Sequence, residues 1–236
     1  MKTTAATLFM LMSLVGSAAA HIAMLYPVPR GGYGTKEYNA RGDTPIGYKD
    51  GVWKTRFPCG GFAPGPVTEL KAGQVIPVRF LASSMSKKDI KTQPKPTNSK
   101  RGFKQARHGG GTCEFSLSYD NGKTFHLIGR YTKSCPDAYY EWPVKIPNNV
   151  PSCNKKGQCL FVWSWISSSI PQYYQNCVDV SITGVANGKL PSKGLELVNI
   201  PGHKQGVRAP GDGAGRNMGK GPNKDEVKAN LNGLWK

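Results

Sequence analysis

The stretch CEFSLSYDNGKTFHLIGRY, residues 113–131, alternates apolar and polar residues on both sides of a turn. Period-two patterning predicts strands at Cys113–Tyr119 and Thr124–Tyr131, since successive side chains of a strand face opposite ways. Asp120-Asn121-Gly122-Lys123 between them is a hairpin signal, because Asn and Gly tolerate positive φ. The same pattern recurs in QVIPVRFLA (74–82), QCLFVWSWI (158–166) and VDVSIT (178–183). No run has a convincing amphipathic helical face. Short strands, turn-rich joints and long Gly- and Pro-rich loops predict an all-β chain, an antiparallel β-sandwich.

The 236 residues allow one domain plus extensions, or two small domains. The one long apolar run is at the start. Lys2 begins it, Ala5–Val15 is apolar, and Ala18-Ala19-Ala20 presents small residues before His21. This is the pattern of a secretory signal peptide over residues 1–20, cut after Ala20, and it implies a secreted, extracellular protein. No later run approaches the ~20 apolar residues of a membrane helix. The cysteines are Cys59, Cys113, Cys135, Cys153, Cys159 and Cys177. An even number in an exported chain implies three disulfides, and no C-x-x-C knuckle argues for zinc.

The net charge of +18 points to polyanions or acidic wall material rather than nucleic acid in an exported protein. A basic run, KKDIKTQPKPTNSKRGFKQAR (87–107), reads as a solvated face or flexible loop. After Gly184 the composition shifts to Gly, Lys, Asn and Pro, with Trp235 as the one aromatic. Residues 185–236 therefore read as a flexible, disordered basic tail, in which Asn223–Trp235 could form a short helix.

Cleavage after Ala20 would give His21 a free α-amine beside its imidazole. Amine and Nδ1 together can chelate one metal, and a third nitrogen from another histidine would complete an all-nitrogen site suited to copper. Three other histidines exist. His203 lies in the tail, and His126 sits within a strand as an ordinary surface or core residue. His108 precedes Gly109-Gly110-Gly111 and Cys113. The glycines leave room for close backbone approach beside its ring. Ahead of the last strand, Gln172 and Tyr174 stand two residues apart and so on one side of an extended chain. Aromatic packing is the plainer reading of that pair taken alone.

HIAMLYPVPR, ARHGGGTC, CLFVWSWISS and QYYQNCVDVSITG together resemble the lytic polysaccharide monooxygenases, above all the fungal chitin-active group, auxiliary activity family eleven. The likeness covers most of residues 21–184. It implies an immunoglobulin- or fibronectin-like β-sandwich with a flat copper-bearing face. By the resemblance, His21 and His108 form a histidine brace on one copper ion, with Tyr174 as the buried axial group. Gln172 would hydrogen-bond the activated oxygen species, and Ala106 would crowd the open axial position beside the cofactor. Positions 173 and 174 are both Tyr; the spacing from Cys177 favours Tyr174. The same resemblance suggests Cys59–Cys177, with Cys113–Cys135 and Cys153–Cys159 as the remaining pairing.

The implied activity is oxidative cleavage of glycosidic bonds in an insoluble polysaccharide, chitin first, by a monomer. An external reductant and dioxygen or hydrogen peroxide would be consumed. Neither a membrane nor nucleic acid is an expected partner. Two other classes compete: a non-catalytic copper-binding relative, and a polysaccharide- or wall-binding protein without catalysis. Paired-carboxylate glycoside hydrolysis finds no support, since Glu114, Asp137 and Glu141 form no telling arrangement. No G-x-S-x-G or P-loop motif occurs.

Overall fold

In the computed structural model, residues 22–37, 56–82, 84–85, 87–92, 105–214 and 218–233 are described. The signal-peptide reading, His21, Trp235 and the centre of the basic run lie outside them.

Alternation places Cys113, Phe115 and Leu117 on the inner face of their strand, where all three are buried. The strands are β1 (Ile22–Tyr26), β2 (Val67–Lys71), β3 (Val75–Ala82), β4 (Gly111–Ser118), β5 (His126–Tyr131), β6 (Trp142–Lys145), β7 (Leu160–Ser167) and β8 (Tyr173–Thr183). One sheet runs β1-β3-β6 and the other β2-β8-β7-β4-β5. The expected sandwich is present. Its pairings are antiparallel except at one edge, where β2 runs parallel to β8. Met24, Phe80 and Trp142 of the small sheet share a core with Phe115, Phe161, Trp163 and Val178 of the large one. Phe80 lies between Trp142 and Trp163, with ring centroids 6.4 and 4.9 Å away.

The β4–β5 turn is longer than a two-residue hairpin. Asn121 and Gly122 do take positive φ, 61° and 81°. Asp120 organises the turn: its carboxylate accepts from the Ser118 hydroxyl (2.9 Å), the Lys123 and Thr124 amides (3.0 and 2.9 Å) and the Thr124 hydroxyl (2.7 Å). The three disulfides are Cys59–Cys177, Cys113–Cys135 and Cys153–Cys159, the pairing suggested above. A buried ion pair, Arg30 Nη2 to Asp179 Oδ1 at 2.6 Å, ties the loop after β1 to β8.

The segment after β8 departs from the expectation of a flexible tail. Val198 and Ile200 are buried against Ile166 and Tyr173 on the outer face of the large sheet. Leu195 packs on Phe125, Leu160, Val162 and Cys177 beside them. The Lys193 carbonyl accepts from the Leu127 amide at 2.7 Å. A helix, Lys224–Asn232, is capped by Asn223, whose side chain accepts from the Asp225 amide. Its Asn230 side chain accepts from the Arg130 amide and donates to the Arg130 carbonyl, at 2.9 and 2.8 Å. The physical reason is visible in β7, LFVWSWIS, which is apolar at both parities and buried throughout. A strand of that kind needs cover on both faces. Covering Val198 and Ile200 contributes about 1.5–3 kcal/mol per side chain.

Burial works to raise the Asp120 carboxyl, but hydrogen bonds from Thr124, Ser118 and Lys123 outweigh it and hold the group below the usual carboxylate range. A depressed folded value means stability that is present above the unfolded value of about 3.9 and is lost as pH falls through the folded one. The melting-temperature gap between wild type and Asp120→Asn is therefore expected to narrow as pH falls from about 5 to about 2. A pH-independent gap in thermal melts would contradict this role of the carboxylate.

Candidate functional site

The loop from Arg107 into β4 is built on an unusual backbone. His108 has φ 46°, and Gly109, Gly110 and Gly111 come next at 75°, 80° and 147°. A Cβ at Gly110 would come within 2.0 Å of the Lys133 carbonyl oxygen, and one at Gly111 within 2.1 Å of the Ile166 oxygen. The close approach that the glycines suggested is thus made to backbone on either side. Gly110 N–H donates to the Arg107 carbonyl (2.6 Å) and Gly111 N–H to that of Lys133 (2.9 Å). Ser168 and Ser169 amides donate in turn to the Gly110 and His108 carbonyls, at 3.0 and 2.9 Å. The Cys113–Cys135 bridge closes the loop from below.

This backbone delivers the His108 ring to the start of β8. Tyr174 Oη lies 3.2 Å from His108 Nε2 and donates to Gln172 Oε1 at 2.5 Å. Trp165, opposite Tyr174 in the β7–β8 register, stacks on the phenol at 4.4 Å and on the imidazole at 5.7 Å between centroids. The alternation of β8 separates the two tyrosines. Tyr174 faces the His108 side, and Tyr173 is buried on the other face under Val198 and Ile200. Tyr174 is 3% exposed, whereas His108 and Gln172 are half-buried. The site therefore has an enclosed phenol behind two groups that reach solvent.

Of the residues singled out in the sequence, His108, Gln172 and Tyr174 come together. Ala106 is half-buried on the run leading to His108. His126 is not part of the cluster; its Nδ1 pairs with the Pro191 carbonyl at 2.7 Å. His203 is exposed in the later segment. Among the described residues no three His, Cys, Asp or Glu side chains gather as a metal site. The donor atoms that do converge, an imidazole nitrogen and a phenol oxygen, are of the kind copper accepts. They fit one part of a copper site.

Sequence reasoning missed the support beneath His108. Arg107 is fully buried. Its Nη2 and Nη1 donate to Asp212 Oδ2 and Oδ1, at 2.6 and 3.0 Å, and Nη2 also reaches the Ser134 carbonyl at 2.9 Å. Asp137 lies 3.9 Å from Arg107 Nε and accepts from Gln105 at 2.7 Å. Burial raises the Asp137 carboxyl above its ordinary value despite these partners. Burial also acts to raise Asp212, but the hydrogen bonds led by Arg107 hold it below the ordinary range. An arginine between Ala and His carries no pattern of its own. The signal for Trp165 was present, as one of the two tryptophans of VWSWIS.

No protein-family model matches the chain. An 80-residue stretch, 34% of the chain, is 45% identical to the AA11 family lytic polysaccharide monooxygenase A of Aspergillus fumigatus (strain CBS 144.89 / FGSC A1163 / CEA10). Over that stretch the two are homologous. The match spans 34% of that relative's length as well. Among solved structures the chain is similar to the extended catalytic domain of H. jecorina LPMO9A, with a TM-score of 0.36 and 17% identity over 58% of this chain and 56% of that one. A likeness at that distance says nothing about the site.

The glycines separate two kinds of constraint. Gly109, whose Cβ would meet nothing closer than 3.8 Å, is expected to lose about 1 kcal/mol of stability on replacement by Ala, from its positive φ alone. Gly110→Ala adds a collision with the Lys133 carbonyl and is expected to cost clearly more. Urea unfolding of both variants checks the order, and equal costs would contradict the packing.

Proposed function

We propose that the chain is a secreted, copper-dependent lytic polysaccharide monooxygenase that cleaves glycosidic bonds oxidatively in an insoluble polysaccharide, chitin first. The observation that carries the reading is the convergence of His108 Nε2, Tyr174 Oη and Gln172 Oε1, each within 3.2 Å of the next. The homologous stretch shared with a protein bearing that name supports it.

His21, once freed by cleavage after Ala20, would hold copper through its α-amine and Nδ1, and His108 through Nε2. Tyr174, whose hydroxyl lies 3.2 Å from His108 Nε2, would border the same site. Copper supplies the one-electron chemistry that an external donor drives and that dioxygen or hydrogen peroxide requires. The chain's own residues do the rest. With the phenol proton directed to Gln172, the 3.2 Å contact leaves the second proton on His108 Nε2, and a metal at that nitrogen would displace it. The Tyr174 hydroxyl donates to the Gln172 side-chain oxygen and so fixes that amide. Trp165, stacked on both rings, limits their rotation. The half-buried rims of His108 and Gln172 suit a polymer surface that cannot thread into a pocket. Ala106, half-buried and two residues before His108, would be the small residue that crowds the open position beside the metal.

Incubation of the mature protein with chitin, ascorbate and oxygen is expected to release oxidised oligosaccharides detectable by mass spectrometry. His108→Ala is expected to remove them, and Gln172→Ala to lower their rate about 10- to 100-fold. Equal product from wild type and His108→Ala would exclude the reading. Copper binding without product would favour a non-catalytic relative.

A further inference from the structure

The segment after β8 reaches the His108 loop directly. Asp212 grips Arg107 with both carboxylate oxygens, at 2.6 and 3.0 Å, and the ion pair is closed to solvent, with side-chain exposures of 0% and 1%. Its backbone amide donates to the Gly109 carbonyl at 3.2 Å. Gly211 pairs with Lys133, the residue whose carbonyl receives the Gly111 amide. A Cβ on Gly211 would come within 2.6 Å of the Gly109 oxygen and 2.3 Å of Ser168 Oγ. From further along, the Gly219 amide donates to Asp137 at 2.5 Å, and a Cβ on Gly219 would strike Arg107 Nη2 at 2.4 Å. Two glycines and one aspartate are thus fitted against the residue before His108 and the residue after it.

We propose that Asp212 is a positioning residue for His108, acting through Arg107 and the Gly109 carbonyl, and that the segment after β8 is a clamp on the site. The functional part rests on the copper reading of His108. A run of positive-φ residues keeps its conformation only where the surrounding structure holds it, so the orientation of the ring it carries depends in part on what grips its ends. A bidentate, buried Arg–Asp pair gives that grip direction as well as energy, and losing Asp212 removes the two short contacts that orient the Arg107 guanidinium. Outer partners of this kind orient metal ligands.

The test uses the full mature chain with Asp212→Ala, Asp212→Asn and Asp212→Glu. Asp179→Ala breaks the comparably buried Arg30 pair and controls for general destabilisation. It lies five residues from Tyr174 along β8, about 17 Å. Without metal, amide exchange at Gly110, Gly111, Ser168 and Ser169 and the His108 ring resonances report the loop. With copper, calorimetry and electron paramagnetic resonance report the site. Asp212→Ala is expected to speed exchange at those four amides at least tenfold, weaken copper binding at least tenfold and alter the copper spectrum. Asp212→Glu should recover part of each, and Asp179→Ala should leave the copper spectrum unchanged. Should Asp212→Ala not fold, Asp212→Asn is read by the same criteria. Unchanged exchange overturns the proposal, as does faster exchange with copper affinity and spectrum intact. If wild type binds no copper, the copper reading fails by itself, and exchange with the His108 resonances still decides whether Asp212 positions the loop.

Discussion

Strand β7 is apolar on both faces, and the architecture results from having to cover it twice. Phe161, Trp163 and Trp165 face the small sheet; Leu160, Val162 and Ile166 face outward. A sheet whose central strand is greasy on both sides cannot leave one side to water. The small sheet covers the first face. Leu195, Val198 and Ile200 cover the second, together with Phe57 and Cys59 from the chain before β2. The chain beyond residue 200 is thereby delivered to the end of β7, where the His108 loop lies.

The site inherits its rigidity from that arrangement. Trp165 belongs to the inner face of β7 and stacks on both Tyr174 and His108. Tyr174 is the partner of Trp165 in the neighbouring strand. His108 stands on a loop, and that loop is held by a disulfide, by the backbone of residues 167–169 and by Asp212. In the proposed function such rigidity matters because a copper site exposed to a polymer surface has no enclosing pocket to fix its geometry. The chain would supply that order from beneath.

The sandwich and the cluster of His108, Gln172 and Tyr174 were legible because both depend on short-range rules. Alternation marked β3, β4, β5, β7 and the second half of β8. The spacing of Gln172 and Tyr174 put them on one side of a strand, and Gly109–Gly111 announced close approach. Strand β6, WPVK, escaped because a proline interrupts it, and β2, VTELK, because an edge strand carries little apolar signal. The segment after β8 was misread for a different reason. Its composition resembles a disordered tail, and the few apolar residues that anchor it gain their meaning from a strand about thirty residues earlier, whose second apolar face had no partner. Arg107 and Asp212 were invisible because a buried ion pair between residues 105 positions apart leaves no local pattern.

In the proposed function the site is completed by a new amino terminus at His21, which would join His108 on one metal. Copper titration by calorimetry, on the chain beginning at His21 and on the same chain with one extra residue before it, tests this most directly. One tight site is expected in the first and binding at least tenfold weaker in the second, with the fold unchanged by circular dichroism. Equal copper affinity in the two would contradict it.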